Sequence, residues 1–203
     1  MASHCGISRE RGMSQARNQD SIRTFIAIKV PVTTPVRELL RNLSRRSVGP
    51  LEKEENLHIT VKFLGETPAD KVPSLSSVLE SAAGKTPAGE LRLHGLGAFP
   101  NIQRPSILWA GVREPEALIR LARALDENLV TLGFVPEKRP YHPHVTLSRL
   151  QAPLPEGVFA LLAEEAETAF GKIPFRNIEL YQSELHSGGV RYTVLASYPF
   201  TDD

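Results

Sequence analysis

Alternation of apolar and polar positions is clearest at 57–63, LHITVKF, and at 143–149, PHVTLSR. Successive side chains of a strand point to opposite faces. Leu57, Ile59, Val61 and Phe63 are therefore expected on a core face, and His58, Thr60 and Lys62 on the other. In the second stretch Val145 and Leu147 oppose His144, Thr146 and Ser148. FIAIKV at 25–30 and ILWAGV at 107–112 are short apolar runs of the kind that form buried strands. Val36, Leu39, Leu40 and Leu43 follow the first run at helical spacing, after Pro31, Pro35 and an N-cap at Thr33 or Thr34. Leu118, Leu121, Ala122, Leu125, Leu129 and Leu132 follow the second run, opened by Pro115 and closed by Gly133. Helices are also predicted over about 69–82 and 156–169. Strands are predicted over 90–99, 175–185 and 190–198, the last two joined at Gly188–Gly189. The glycines within 90–99 point to a bulge or a close backbone approach.

The order of elements repeats. Each half reads strand, helix, His-bearing strand, helix, strand. His58 and His144 are 86 residues apart, and Phe99 and Leu185 each lie 41 residues beyond their histidine. A duplication of this kind predicts two similar lobes related by a rough two-fold, each bringing its His strand to a shared cleft. Residues 1–20 lack apolar periodicity and read as a disordered N-terminal tail, which leaves 21–203 as one bilobal domain.

Composition narrows the partners. The chain has 203 residues, 41% hydrophobic and 23% charged, with a formal net charge of +1. No global field recruits nucleic acid, so a polyanionic substrate needs a local cluster of Lys and Arg. One cysteine, Cys5, excludes an internal disulfide framework and suits a reducing cytoplasm. No apolar run approaches about 18 residues, which argues against a membrane helix.

The shared core of the two motifs is His, a β-branched apolar residue and Thr: His58-Ile59-Thr60 and His144-Val145-Thr146. Two imidazoles across a cleft suit acid–base chemistry near neutral pH, one giving a proton while the other takes one. Two threonine hydroxyls can bond the non-bridging oxygens of a phosphate. No carboxylate, glutamine or cysteine recurs in register with them, so a metal-free phosphodiester transfer fits better than a hydrolytic zinc site. His142 and His144, two apart, would start such a zinc site only with a third ligand, for which His94 and His186 are the candidates. Lys62 shares the predicted face of His58. Arg149 is out of phase with His144 and reaches the cleft only if the strand twists or ends. Arg104, Arg139 and Arg191 are candidate contacts to a polyanionic substrate, and Phe25, Tyr141 and Tyr192 are further candidate substrate contacts. Trp109 reads as a core residue.

The segments ENLHITVKFLGE (55–66), RPSILWAGV (104–112), RPYHPHVTLSRL (139–150) and SELHSGGVRYTVL (183–195) resemble the RNA 2′,3′-cyclic phosphodiesterase, or 2′-5′ RNA ligase, family of the 2H phosphoesterase superfamily. The resemblance spans about 22–200, and it departs only at Val61, where Leu is usual, and at His186. It implies an α+β bilobal fold with an antiparallel sheet in each lobe, helices on the outer faces and the motifs lining a central groove. It further implies hydrolysis of a 2′,3′-cyclic phosphate at an RNA 3′ end to a 2′-phosphomonoester, by a monomer without metal or cofactor, and 2′-5′ ligation as the chemical reverse. By the same resemblance His58 is the proton donor and His144 the acceptor, with Thr60 and Thr146 on the phosphate. A non-catalytic RNA or nucleotide binder on this fold, and a small cyclic-nucleotide phosphodiesterase, are the alternatives. Registering the two motifs selects His144 over His142.

Overall fold

A computed structural model describes residues 21–150, 157–187 and 189–202. The N-terminal tail expected over 1–20 lies outside them. The described residues form eight strands and four α-helices, beginning with β1 Ser21–Lys29, α1 Thr34–Arg45, β2 His58–Pro68, α2 Val72–Ala83, β3 Gly89–Phe99 and β4 Ile107–Arg113. They continue as α3 Glu116–Leu129, β5 His144–Arg149, α4 Val158–Glu164, β6 Ala169–Phe175, β7 Asn177–His186 and β8 Gly189–Pro199.

The strands pair in the order β6-β3-β4-β5-β2-β1-β7-β8, and every pairing between them is antiparallel. The middle joint is narrow. β2 and β5 pair only through Ile59 and Val145, the apolar residues inside the two His motifs. Four strands lie on either side of this joint, which makes two lobes related by a rough two-fold, as the repeat predicts. The lobes are not the sequence halves, however. β3 follows β2 in the chain but pairs with β4 and β6, whereas β1 and β2 are completed by β7 and β8 from the second half. The first half thus lends β3 to the other lobe, and the second half lends β7 and β8.

Helix faces carry the apolar stripes that the spacing predicts. Leu39 and Leu43 of α1, Leu75 and Leu79 of α2, and Leu118 and Leu125 of α3 are buried with Ile26, Ile28, Ile59, Leu108 and Val145 of the sheet in one cluster. Pro35 stands in the first turn of α1, as a residue without a needed N–H can. Thr33 occupies the N-cap but makes no capping bond with its side chain. Gly133 ends the α3 segment, after a 3₁₀ turn, with a φ of 85° that favours glycine.

Both readings of the β3 glycines hold, at different residues. Gly95 sits at a bulge with φ 70°, and Gly97 lies under the indole of Trp109, where a Cβ would come within 2.1 Å of Cζ2. The predicted helix over 156–169 is corrected: α4 is shorter, and 169–175 is the strand β6 on the edge of the sheet. Gly171 at φ 87° and Pro174 suit an edge strand and not a helix interior. Among the described residues no helix is long and apolar enough to cross a membrane.

Candidate active site

The helices cover one face of the sheet, and the motifs lie on the other. There Phe25 and Ala27 of β1 and Tyr181 of β7 form a second, small buried cluster, with Tyr192 packed against it. His58 rests on this cluster. Its ring centroid is 5.0 Å from that of Phe25 and 5.2 Å from that of Tyr192, which it meets in a T-shaped pair, while Phe25 and Tyr181 stack at 5.0 Å. His144 meets a matching wall, 4.9 Å from Phe99 edge-on and 6.1 Å from Trp109.

Each imidazole is held in the same way. His58 Nδ1 lies 2.6 Å from the Asn56 carbonyl, and His144 Nδ1 lies 2.7 Å from the His142 carbonyl. A carbonyl oxygen only accepts, so each Nδ1 carries the hydrogen and each Nε2 is the nitrogen that titrates. Because the bond reaches back two residues in both motifs, the tautomer is set by the local chain. Burial pushes His58 down to about 4, and Lys29, Arg149 and His144 press it further against the pull of the Asn56 carbonyl. Burial also lowers His144, with the His142 carbonyl opposing. Both imidazoles of the free protein are therefore neutral at neutral pH.

Beyond each threonine the strand breaks its alternation. β1 pairs Ala27 with Thr60 but Ile26 with Lys62, so Val61 is an extra residue. β4 pairs Trp109 with Thr146 but Leu108 with Ser148, so Leu147 is extra. Both are β-bulges at the third residue after the histidine, and each shifts the following residues to the opposite face. Two expectations are corrected together. Lys62 leaves the cleft face: it is buried, ion-paired with Asp126 of α3, and donates to the Val135 carbonyl at 3.0 Å. Phe63 leaves the core face and stands 73% exposed, its ring 6.3 Å from Phe25. In the second motif Ser148 turns inward to bond the Pro50 carbonyl at 2.8 Å, and Arg149 turns outward, 3.0 Å from Glu52. The Arg149 guanidinium lies near enough to Tyr192 and His58 for its charge to act on both.

The other candidates divide. Phe25 is 3% exposed beneath His58, so it supports the imidazole and offers no free face to a base. Tyr141 donates to the Thr60 carbonyl at 2.9 Å and ties the loop before β5 to β2, which commits its hydroxyl to holding the motif. Tyr192 remains half-exposed at the rim beside His58, where Arg191 also lines the surface. His142 is exposed against Trp109 at 4.7 Å. Trp109 is corrected from the core to the cleft face, over Gly97 and opposite Thr146. Arg104 lies on the exposed turn after β3, and Arg139 on the lip of a cavity of about 770 Å³ between β2, α3 and the loop before β5. Among the described residues no three His, Cys, Asp or Glu side chains gather as a cation site.

Two imidazole-and-threonine strands facing one groove between pseudo-symmetric lobes define a two-histidine phosphoesterase. The profile of the 2′-5′ RNA ligase superfamily matches residues 31–186, and the chain belongs to that superfamily. It is 33% identical to an RNA 2′,3′-cyclic phosphodiesterase of Archaeoglobus fulgidus over 84% of this chain and 96% of that one. It is 33% identical to another of Geobacillus stearothermophilus, over 87% of this chain but only 57% of the relative's length. Among solved structures it is similar to a protein of Thermus thermophilus, with a TM-score of 0.75 and 27% identity over 90% of this chain and all of that one. Escherichia coli LigT complexed with 3′-AMP matches with a TM-score of 0.69 and 27% identity over 90% of this chain and 99% of that one.

Proposed function

We propose that this chain hydrolyses RNA 3′ ends bearing a 2′,3′-cyclic phosphate to 2′-phosphomonoesters, with His58 and His144 as its catalytic pair. The observation that carries the reading is the paired tethering of the two imidazoles, which presents one titrating Nε2 from each lobe. The relatives' activity and the 3′-AMP bound by LigT support a nucleotide substrate.

In the proposed reaction water attacks phosphorus and the P–O3′ bond breaks. His144 Nε2 takes the proton of the attacking water, and His58 Nε2–H gives its proton to the leaving O3′. The two histidines end with exchanged protonation, and solvent resets them. His58 begins neutral in the free enzyme, so its proton arrives with the anionic phosphate, whose charge favours the imidazolium. Thr60 and Thr146 donate to the phosphoryl oxygens, and Arg149 adds positive charge on the His58 side. Both histidines come from one chain, so a monomer suffices. The single cysteine supports a reducing cytoplasm as its setting.

The test is incubation with an RNA ending in 2′,3′-cyclic phosphate, in EDTA, with the product read by ³¹P NMR. A 2′-phosphate is expected. His58→Ala and His144→Ala should each lower turnover by about 10²-fold or more, and His142→Ala should retain most of it. Binding without turnover would instead make the chain an RNA binder. Equal losses in folded His142 and His144 variants would reject the assignment of the pair.

A further inference from the structure

A net charge of +1 leaves a polyanionic substrate dependent on a local cluster of cations, and strand register builds one outside the two motifs. Residues paired directly across neighbouring strands share a face of the sheet. Gly111 of β4 pairs with His144, so Arg113, two residues further along, stands on the same cleft face. Arg113 pairs with Arg92 of β3, and Arg92 pairs with Lys172 of β6. Three exposed cations therefore form one row across three strands, in steps of about 5 Å. The inner end of the row is one strand across and two residues along from His144, on the order of 8 Å between backbones. β2 and β4 both run antiparallel to β5, so Arg113 and Thr60 lie toward the same end of the cleft, where the cavity of about 770 Å³ opens.

Like charges placed directly opposite each other destabilise a sheet, so a row of three calls for counter-charge. The fold supplies it only at the solvent margin. Glu114 lies 3.1 Å from Arg92, and Glu90 lies 2.6 Å from Lys172, with more than half of every one of these side chains exposed. Pairs of this kind are weak, and another anion can replace the carboxylate. Arg113 meets no carboxylate at ion-pair distance among the described residues. Its Nη1 donates to His94 Nε2 at 2.9 Å, and His94 in turn faces Glu167 at 3.8 Å. A guanidinium has five donors, so this one bond leaves most of them for a ligand. At the matching level of the other lobe the cleft-face row is apolar: Phe25 pairs with Tyr181, and Tyr181 with Val194.

We infer that Arg113, Arg92 and Lys172 hold the RNA strand on the 5′ side of the reacting nucleotide, by its phosphodiester groups. The inference rests on the cyclic phosphate lying between His58 and His144, as proposed above. That phosphate ends the strand, so the rest of the chain has one way to run and must leave the cleft over one of the two lobes. At this end the β3–β6 lobe offers cations, and the other lobe offers aromatic and aliphatic side chains. Arginine forks match two phosphate oxygens at once, and the lysine adds a point charge. Phosphate contacts carry no sequence information, so the row selects for the length of the strand and not for its bases.

The experiment measures kcat/KM over a range of salt for a mononucleoside 2′,3′-cyclic phosphate and for a single-stranded tetranucleotide with the same cyclic end. The tetranucleotide has an internal phosphodiester for each cation. The wild-type protein should favour it, by a margin that shrinks as salt rises. The triple variant Arg92→Gln/Arg113→Gln/Lys172→Gln should lose about ten-fold or more on the tetranucleotide and keep its rate on the mononucleotide. Its log–log salt slope should be shallower by about 2, at about 0.7 per contact. Glu90→Gln/Glu114→Gln removes the competing carboxylates and should raise the tetranucleotide rate alone, a gain that misfolding cannot produce. A preference for length that is absent from the wild type, survives in the triple variant or disappears together with mononucleotide turnover would overturn the inference, as would an acid variant without the gain. Fluorescence anisotropy of the labelled tetranucleotide is read in parallel. Wild-type binding without turnover would sink the catalytic reading, and weaker binding by the triple variant would still establish the row.

Discussion

His58 and His144 are chemically alike and electrostatically different. Both keep a hydrogen on Nδ1 for a carbonyl two residues back, but His58 feels the charges of Lys29, Arg149 and His144, whereas His144 feels that of its neighbour His142. The pH dependence follows with a definite sign. Both free-enzyme values lie below the ordinary 6.5, so the form with one protonated imidazole is most abundant on the acidic side of that value and declines as pH rises. The profile of kcat/KM, which reports the free enzyme, should thus be bell-shaped with its maximum below about pH 6.5 and fall through neutrality. The phosphate raises the acid in the complex, so the alkaline limb of kcat should stand at higher pH than that of kcat/KM. Steady-state profiles from pH 4 to 9 check both, and coincident alkaline limbs would show that the substrate brings no proton uptake.

Element by element, the two bulges explain what the sequence conceals. His58, Thr60, His144 and Thr146 were legible because the strand is regular up to the threonine and the motif occurs twice. Lys62 and Phe63 were not, because simple alternation extends past Thr60 and assigns each to the wrong face. A signal was present in the second copy: Arg149, read as a core-phase residue, cannot remain there as a charge, and a common phase break after the threonine resolves both strands. The edge strand β6 was hidden for another reason, since a short run broken by Gly171 and Pro174 has neither period. The bulge also predicts the behaviour of Lys62. Its ammonium is buried against Asp126, so Lys62→Ala strands a half-buried carboxylate and should cost about 3–5 kcal/mol of stability. Lys62→Met with Asp126→Leu should recover most of that loss, and the folded double variant should keep its kcat. Urea denaturation and turnover of the two variants separate this structural role from phosphate binding, because a phosphate ligand would lose activity in the double variant as well.

At the scale of the molecule, the exchange of β3 against β7 and β8 decides how the lobes depend on each other. A duplication read from sequence suggests two units, each able to close its own sheet. The pairing denies this: β3, from the first half, lies between β4 and β6, and β7, from the second half, lies between β1 and β8. Cutting the chain between the halves therefore leaves each fragment without an inner strand of its own lobe. The buried side chains of all four helices and both lobes also form one continuous cluster, so opening either lobe exposes apolar surface in the other. Cooperativity should follow. Trp109, the single tryptophan, reports the β3–β6 lobe through its contacts with Gly97 and Phe99, while far-ultraviolet circular dichroism reports both lobes. In urea the two signals should share one midpoint and one slope. Fragments 21–103 and 104–203 should each lack a cooperative transition alone, and mixing them should restore one, because only together do they supply every strand of either lobe. A tryptophan transition well separated from the circular dichroism midpoint would mean that the lobes melt independently, and the exchanged strands would then not couple them.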